Sequence, residues 1–147
     1  MENITGCLLA LERSWQHRGN RYMRQKTDLI FQEQTLQVRN FYRKFGLEIE
    51  RIYHEPDDHI GLELIFVAHL ASLALSAMEN QDQKEFDRLI LAQWEFLSDH
   101  LLKWAFEWTR DVREFSKQDF FRGAALVVEG GLKSVRTTFE NQYGMTV

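Results

Sequence analysis

The chain has 147 residues, of which 44% are hydrophobic and 13% aromatic, and its net charge is −4. This length suggests one domain with a sizeable core, and the apolar content excludes a disordered chain. The negative charge argues against nucleic-acid binding, which needs a basic surface, and is compatible with a cationic peptide ligand.

Apolar spacing predicts the elements of the first third of the chain. Residues 3–17 have the period of an amphipathic helix, and residues 18–33 are polar and irregular. Thr35 is a candidate N-cap for the next helix, and Gly46 is a candidate stop at its end. The alternating residues 47–54 suit an extended link.

A long apolar helix is predicted after the only proline, Pro56, because proline disfavours helix before it and presets a helix start after it. The helix runs to about Glu79 and is apolar on nearly every side, which is typical of a central helix covered by others. Since residues 60–77 contain Glu63 and His69, we interpret them as a buried helix and not as a membrane span.

Three more helices are predicted downstream, over residues 83–97, 99–112 and 120–143. Ser98-Asp99 is expected to break the chain between the first two, and Gly130-Gly131 is a soft point in the last. One proline and eight glycines supply little turn chemistry for an all-β protein. We therefore expect an all-α fold: a single bundle of about five or six helices over residues 1–147, with an apolar central helix and a hinge near residues 53–60.

Few residues point to catalysis or to a bound cofactor. The chain has no Gly-x-Ser-x-Gly, no phosphate-binding loop, no His-Glu-x-x-His and no Glu-x-x-His pair. Cys7 is the only cysteine, so an internal disulfide is impossible, and a reducing compartment is expected. We expect no enzyme and no cofactor. The alternative is a helical metal-binding protein or small enzyme that uses His59, Glu63 and His100.

The acidic turn at the start of the apolar helix has two interpretations; residues 53–71 read YHEPDDHIGLELIFVAHLA. In the first, Asp57 and Asp58 only cap the helix, and His59 is a satisfied polar residue. In the second, the turn binds a cationic peptide, because carboxylates accept guanidinium groups through paired hydrogen bonds. The apolar helix beyond the turn would then supply a groove for hydrophobic side chains.

A second unusual stretch is HLLKWAFEW, residues 100–108. His100 and Trp104 are four residues apart and are expected to share a helical face, which Trp108 continues. Core packing accounts for such residues, but a partly exposed tryptophan beside the acidic turn would extend an arginine-binding surface through cation–π contact.

These two stretches resemble the TorD/DmsD/NarJ family of redox-enzyme maturation chaperones. The family is marked by a Glu-Pro-Asp-Asp-His-like turn that enters an apolar helix, followed by Phe-Leu-x-x-His-Leu-x-x-Trp. Here the two motifs read Glu55-Pro56-Asp57-Asp58-His59-Ile60-Gly61 and Phe96-Leu97-Ser98-Asp99-His100-Leu101-Leu102-Lys103-Trp104. The segment TLQVRNFYRKFGL (35–47) resembles the helix before the family's hinge. The similarity covers about residues 28–143.

The resemblance implies an all-helical cytoplasmic chaperone. Such a protein binds the twin-arginine signal peptide of a molybdopterin-containing oxidoreductase and holds that partner back from export until its cofactor is installed. The peptide-binding residues implied here are Glu55, Pro56, Asp57, Asp58, His59, His100 and Trp104. The first residues, Met1-Glu2-Asn3, do not resemble a secretory signal, in agreement with a cytoplasmic location.

The chain departs from the family pattern at its N-terminal end. Family members usually carry a longer helical half there, with another aromatic-rich motif, whereas only residues 1–27 precede the similarity here. The chain is a fragment, a natural short form, or one of two copies that complete each other's core. Family members exchange segments between subunits through the hinge, and exposed apolar surface is commonly covered by a partner. A homodimer, which segment exchange could form, is therefore expected.

Overall fold

The computed structural model describes residues 30–47 and 59–146, and all regular structure in these two ranges is helical. A π-helical turn, Leu97–Leu101, joins the helix Gln83–Phe96 to the helix Leu102–Phe115 without a break. The expected all-α fold class is confirmed. The five α-helices of the described residues are α1 Ile30–Lys44, α2 Ile60–Glu79, α3 Gln83–Phe96, α4 Leu102–Phe115 and α5 Asp119–Tyr143.

The chain divides into two compact units, Met1–Gln37 and Val38–Val147. The boundary lies within α1, and the packing described below belongs to the second unit. The helix expected over residues 3–17 and the hinge residues 53–58 lie outside the described residues. The expectation of one domain over residues 1–147 therefore stays a prediction.

The first cluster of packed side chains is built from α1, α2 and α3, and four of its ten buried residues are aromatic. Phe66 of α2 is fully buried at its centre. The ring centroids of Tyr42 and Phe96 each lie 4.7 Å from that of Phe66, in tilted and edge-to-face arrangements that aromatic pairs favour. Apolar side chains of α1 and α3 thus pack together against the same side of α2.

Both ends of α1 can be compared with the prediction. Gly46 has a φ of 74°, the left-handed conformation that glycine adopts without steric penalty, so the predicted stop is confirmed. The predicted start is wrong, because α1 begins at Ile30 and Thr35 lies inside the helix, not at its cap. Glutamine and glutamate at positions 32–34 are good helix formers, and they extend the helix over residues that looked irregular.

The predicted break at Ser98-Asp99 is also wrong, because the chain stays helical through the π turn. The hydroxyl of Ser98 donates to the carbonyl oxygen of Glu95 at 3.3 Å. This local bond satisfies the serine inside a helical turn, where its presence had indicated a cap. A π turn holds one residue more than an α-helical turn, so α4 continues α3 with a shifted register.

The second cluster joins the end of α3, the π turn, α4 and α5. α5 turns Ala125, Leu132 and Phe139 inward at seven-residue intervals, and the Phe139 ring lies 5.2 Å from Trp94. Arg113 of α4 and Glu129 of α5 form an ion pair at 3.1 Å between the two helices. α5 continues unbroken through Gly130-Gly131 and ends at Gly144, whose φ is 66°.

α2 is apolar on nearly every side, as predicted, but other helices do not cover it all round, because one of its faces is exposed. Phe66, Leu70 and Ala74 are buried on the packed side. By length and composition alone α2 could cross a membrane, but the core helix of a soluble protein can be equally long and apolar. Within the most apolar 18 residues of α2, 28% of the residues are buried. The opposite side, named here the exposed α2 face, consists of Ile65, Ala68, Ser72 and Leu75.

Candidate functional site

A histidine caps the start of α2. Nδ1 of His59 accepts a hydrogen bond from the backbone N–H of Gly61 at 3.1 Å. The carbonyl oxygen of His59 accepts from the N–H groups of Leu62 and Glu63 at 2.9 and 3.0 Å. The first turn of a helix leaves the N–H groups of Gly61 and Leu62 without i−4 partners, and here both are satisfied by His59.

The glycine at position 61 makes room for this cap. A Cβ atom at Gly61 would lie 3.2 Å from Nδ1 of His59, which is tighter than ordinary packing. Glycine therefore allows the imidazole to lie over the helix end. This role of Gly61 was not predicted, although the sequence contained a signal for it. Gly61 lies two positions after His59, a residue that can accept a hydrogen bond from a nearby backbone N–H group.

The acidic residues of the predicted site, Glu55 to Asp58, lie outside the described residues. The first interpretation of the turn can still be corrected in one respect. The N-cap of α2 is His59, and not Asp57 or Asp58. The N–H groups of Gly61 and Leu62 in the first turn bind His59 and not an aspartate.

His100 lies on the π turn, half-buried against aromatic rings. Its imidazole is 5.2 Å from the ring centroid of Phe96 and 6.0 Å from that of Phe41. Partial burial lowers the pKa of His100 below its ordinary value of 6.5, and the negative charge of Asp99 opposes this effect in part. At neutral pH the imidazole is therefore uncharged, and it can pack on rings and donate one hydrogen bond.

Trp104 is half-buried on α4, and its ring meets that of Trp108 edge to face at 6.4 Å. It packs against the second cluster, which Ile60 and Leu64 from the first turns of α2 also join. Trp104 thus belongs to the same cluster as the residues directly after His59. The expected contact of a tryptophan with the acidic turn stays a prediction, because residues 55–58 lie outside the described residues.

His100 and Trp104 pack on different clusters, although four-residue spacing predicted a shared face. His100 stacks on Phe96 of the first cluster, whereas Trp104 packs on the second. The physical reason is the π turn, since four-residue spacing aligns side chains only along a regular α-helix. Phe41 and Phe96, the ring partners of His100, were not among the predicted peptide-binding residues, and Phe96 was noted only as the first residue of the second motif.

The residues of the metal-binding alternative are all described, and they are engaged separately. His59 uses Nδ1 in the cap, Glu63 is 1% exposed, and His100 lies among rings. Over residues 30–47 and 59–146, no three His, Cys, Asp or Glu side chains come together in a way that could hold a metal ion.

Comparison with known proteins decides the family. The profile of the nitrate reductase delta subunit family matches residues 15–110. The chain belongs to this family. The resemblance to TorD, DmsD and NarJ drawn from the two motifs is thereby confirmed, and both motifs lie inside the matched range. Helix α5 lies beyond it.

Curated relatives carry chaperone names. The chaperone protein TorD of Vibrio cholerae serotype O1 is 30% identical over 89 residues, which are 60% of this chain and 39% of that protein. A probable Tat proofreading chaperone, DmsD of Haemophilus influenzae, is 29% identical over 99 residues, 67% of this chain and 41% of that protein. TorD of Shewanella piezotolerans is 36% identical over 66 residues, 45% and 29% of the two chains.

These matches span about two-fifths or less of each relative's length. No solved structure is significantly similar to the chain.

Proposed function

We propose that this protein is a cytoplasmic chaperone that binds the twin-arginine signal peptide of a molybdopterin-containing oxidoreductase and assists assembly of that enzyme before export. Family membership and the names of the relatives TorD and DmsD support a chaperone. The observation that carries the proposal is the arrangement of α2: a helix capped by His59 directly after the acidic turn, with an apolar face left exposed.

The acidic turn is the proposed site for the arginines. Because His59 binds the N–H groups of Gly61 and Leu62 in the first turn of α2, these two donors do not need the carboxylates of Asp57 and Asp58 as a cap. A guanidinium group matches a carboxylate in a two-pronged pair, and two adjacent arginines match a turn with several carboxylates. Glu55 and Pro56 complete the proposed turn.

The exposed α2 face is the proposed site for the apolar part of the signal peptide. Ile65 and Leu75 are 57% and 56% exposed, and the four residues of the face carry no charge. From Ile65 to Leu75 they span eleven residues, about 15 Å of helix. The apolar region of a signal peptide has about 7–15 residues, so as a helix it would be of comparable length.

The aromatic side chains near the start of α2 complete the proposed site. Trp104 shares its cluster with Ile60 and Leu64, and its half-exposed ring could stack under an arginine by cation–π contact. Burial lowers the pKa of His100, so this imidazole is uncharged at neutral pH and does not repel a cation. Binding of this kind hides the signal peptide from export and needs no chemical step.

Calorimetric titration with a twin-arginine peptide tests the electrostatic half of the proposal. Replacement of both arginines by alanine, or the change Asp58→Asn in the protein, should weaken binding by about tenfold or more. Asp119→Asn is the matched control, since it removes the same charge from the exposed start of α5. Equal affinities of the two peptides would contradict the proposed arginine site.

The apolar half is tested with the same peptide and a different pair of variants. The double variant Ile65→Asn/Leu75→Asn should bind the peptide more weakly than the wild type, whereas Leu91→Asn should bind it equally well. Leu91 lies on α3 and is 57% exposed, so it matches the two test residues in exposure and character. If all three substitutions have the same effect, the peptide does not bind along α2.

A further inference from the structure

The exposed α2 face continues along the helix in both directions beyond the four residues that define it. Gly61 lies four positions before Ile65, and Glu79 lies four positions after Leu75. From Gly61 to Glu79 the residues thus follow one another in steps of four and three, the spacing that keeps side chains on one side of an α-helix. Gly61 and Glu79 are separated by about five full helical turns. The face therefore begins beside the cap at His59 and ends at a carboxylate.

The position of Glu79 is unfavourable for the helix that carries it. Glu79 is the last residue of α2, where the helix dipole disfavours a negative charge, and no basic residue lies in the last turn to compensate it. Within residues 30–47 and 59–146, no cation forms an ion pair with Glu79, and its side chain is exposed. A residue that breaks a local rule without compensation in its own chain is expected at a binding site.

We infer that Glu79 binds a second cationic group of the signal peptide, one that follows the apolar region of the peptide. The inference rests on the proposed function, in which the arginines bind the acidic turn and the apolar region lies on the exposed α2 face. A signal peptide carries its first basic residues before its apolar region. With the arginines at the start of α2, the peptide runs parallel to α2, and the residues after its apolar region reach Glu79.

Charge decides this direction, since an apolar helical face alone accepts a second helix in either direction. In the reverse direction, the two arginines would lie at the single carboxylate of Glu79. The acidic turn, with Glu55, Asp57 and Asp58, would then face the end of the peptide. Each guanidinium group pairs best with a carboxylate of its own. Two adjacent arginines therefore favour the turn, and one later cation favours Glu79.

The length of α2 sets the spacing of the charges in the peptide. Gly61 and Glu79 lie about 27 Å apart along the helix axis, at a rise of about 1.5 Å per residue. A helical peptide covers this distance in about 18 residues. The preferred client therefore has a lysine or arginine roughly 18 residues after its twin arginines, with uncharged apolar residues between them.

Fluorescence anisotropy with designed peptides tests the inference. Each peptide carries twin arginines, a helical region of leucine and alanine, and either lysine or glutamine about 18 residues after the second arginine. At low salt the wild-type chain should bind the lysine peptide about threefold more tightly than the glutamine peptide, as for an exposed ion pair. Glu79→Gln should bind the two peptides equally. A lysine placed about two turns further along should give the wild type no preference.

The matched control is Glu114→Gln. Glu114 is an exposed glutamate in the last turn of α4, so this variant loses the same charge from a comparable position. It should keep the threefold preference for the lysine peptide. Glu79→Gln should not lower the melting temperature of the free protein, because the helix dipole disfavours the carboxylate that it removes. A lower melting temperature would show that Glu79 stabilises the helix end, and the inference would be wrong.

A cross-link tests the direction of the peptide independently. In a Cys7→Ser background, which removes the only native cysteine, Ser76→Cys places a thiol on the exposed side of α2 about one turn before Glu79. Under mild oxidation it should form a disulfide with a peptide that has cysteine after its apolar region. A peptide with cysteine before its arginines should not react.

The outcomes separate this inference from the proposed function. If twin-arginine peptides bind but the added lysine has no effect, the inference is wrong and the proposed function stands. The same holds if Glu79→Gln keeps the preference for lysine, or if Ser76→Cys reacts with the other end of the peptide. If no twin-arginine peptide binds, the proposed function fails, and the inference fails with it.

Discussion

Nε2 of His69 and the backbone carbonyl oxygen of Phe45 lie 2.9 Å apart, and this hydrogen bond joins the middle of α2 to the end of α1. A carbonyl oxygen can only accept, so the imidazole carries a proton on Nε2. The contact lies where α1 has ended and its last carbonyl groups lack helical partners. A side chain of α2 thus completes the C-terminal end of α1.

Replacement of His69 by leucine should therefore lower the free energy of unfolding by about 1–2 kcal/mol, because a partly buried carbonyl loses its donor. Urea unfolding followed by far-UV circular dichroism measures the change. Ser72→Ala is the matched control: its hydroxyl donates to the Ala68 carbonyl oxygen on the exposed side of α2, and its loss should change stability by less than about 0.5 kcal/mol. Equal effects of the two substitutions would show that the His69 bond is not structural.

Gln93 joins α3 to α2 through a second hydrogen bond of this kind. Its side-chain N–H group donates to the carbonyl oxygen of Val67 at 2.9 Å, and the residue is buried. Gln93→Glu should destabilise the protein by about 2–3 kcal/mol at neutral pH, because a carboxylate cannot donate and its desolvation is unfavourable. The deficit should shrink as the pH falls toward about 5, where a buried carboxyl group takes up a proton and can donate again.

The control for this variant is Gln142→Glu, on the exposed last turn of α5. It introduces the same charge, and its effect on stability should be below about 0.5 kcal/mol. Chemical unfolding at several pH values measures both variants. A Gln93→Glu deficit that grows as the pH falls would contradict the hydrogen bond.

The cap at His59 can be separated from any role of its imidazole in peptide binding. His59→Ala should lower stability by about 1 kcal/mol, since the N–H group of Gly61 loses its acceptor. His59→Asn should retain most of that stability, because asparagine is a good N-cap. Thermal and urea unfolding measure these effects, and peptide titration of the asparagine variant then reports on the imidazole alone. Alanine and asparagine variants of equal stability would exclude the cap as the role of His59.

His100 should make stability depend on pH. Burial lowers its pKa in the folded state below the ordinary value of 6.5, so between the two values the unfolded chain binds more protons. The stabilisation is thus fully present above pH 6.5 and is lost as the pH falls through that range toward the folded-state pKa. His100→Gln should flatten the curve of unfolding free energy against pH in this window. A steeper curve, or an unchanged one, would contradict the prediction.

The helices were largely predictable because their apolar residues recur at helical spacing and their ends carry strong signals. Gly46 ended α1 as expected, since only a residue without Cβ adopts its left-handed conformation freely. The start of α1 was missed because Thr35 has the chemistry of a cap but lies inside the helix. A threonine does not by itself show which backbone donors surround it.

The candidate site was predictable as a pair of motifs but not as a geometry. His59 was recognised from its place in the acidic turn, whereas its role as the cap of α2 depends on a ring position that Gly61 permits. The partition of His100 and Trp104 between two clusters depends on the π turn. Such a turn has no distinct sequence signal, because the same serine and aspartate also occur at helix starts.

The π turn at Leu97–Leu101 sets how far α4 is rotated about the helix axis relative to α3, which it continues. Deletion of a single residue there would restore ordinary α-helical winding and keep the downstream helix in phase, whereas a deletion elsewhere in α4 would rotate everything downstream by about 100° about the axis. The π turn therefore accommodates one additional amino acid without turning the C-terminal third of the protein away from its apolar helix.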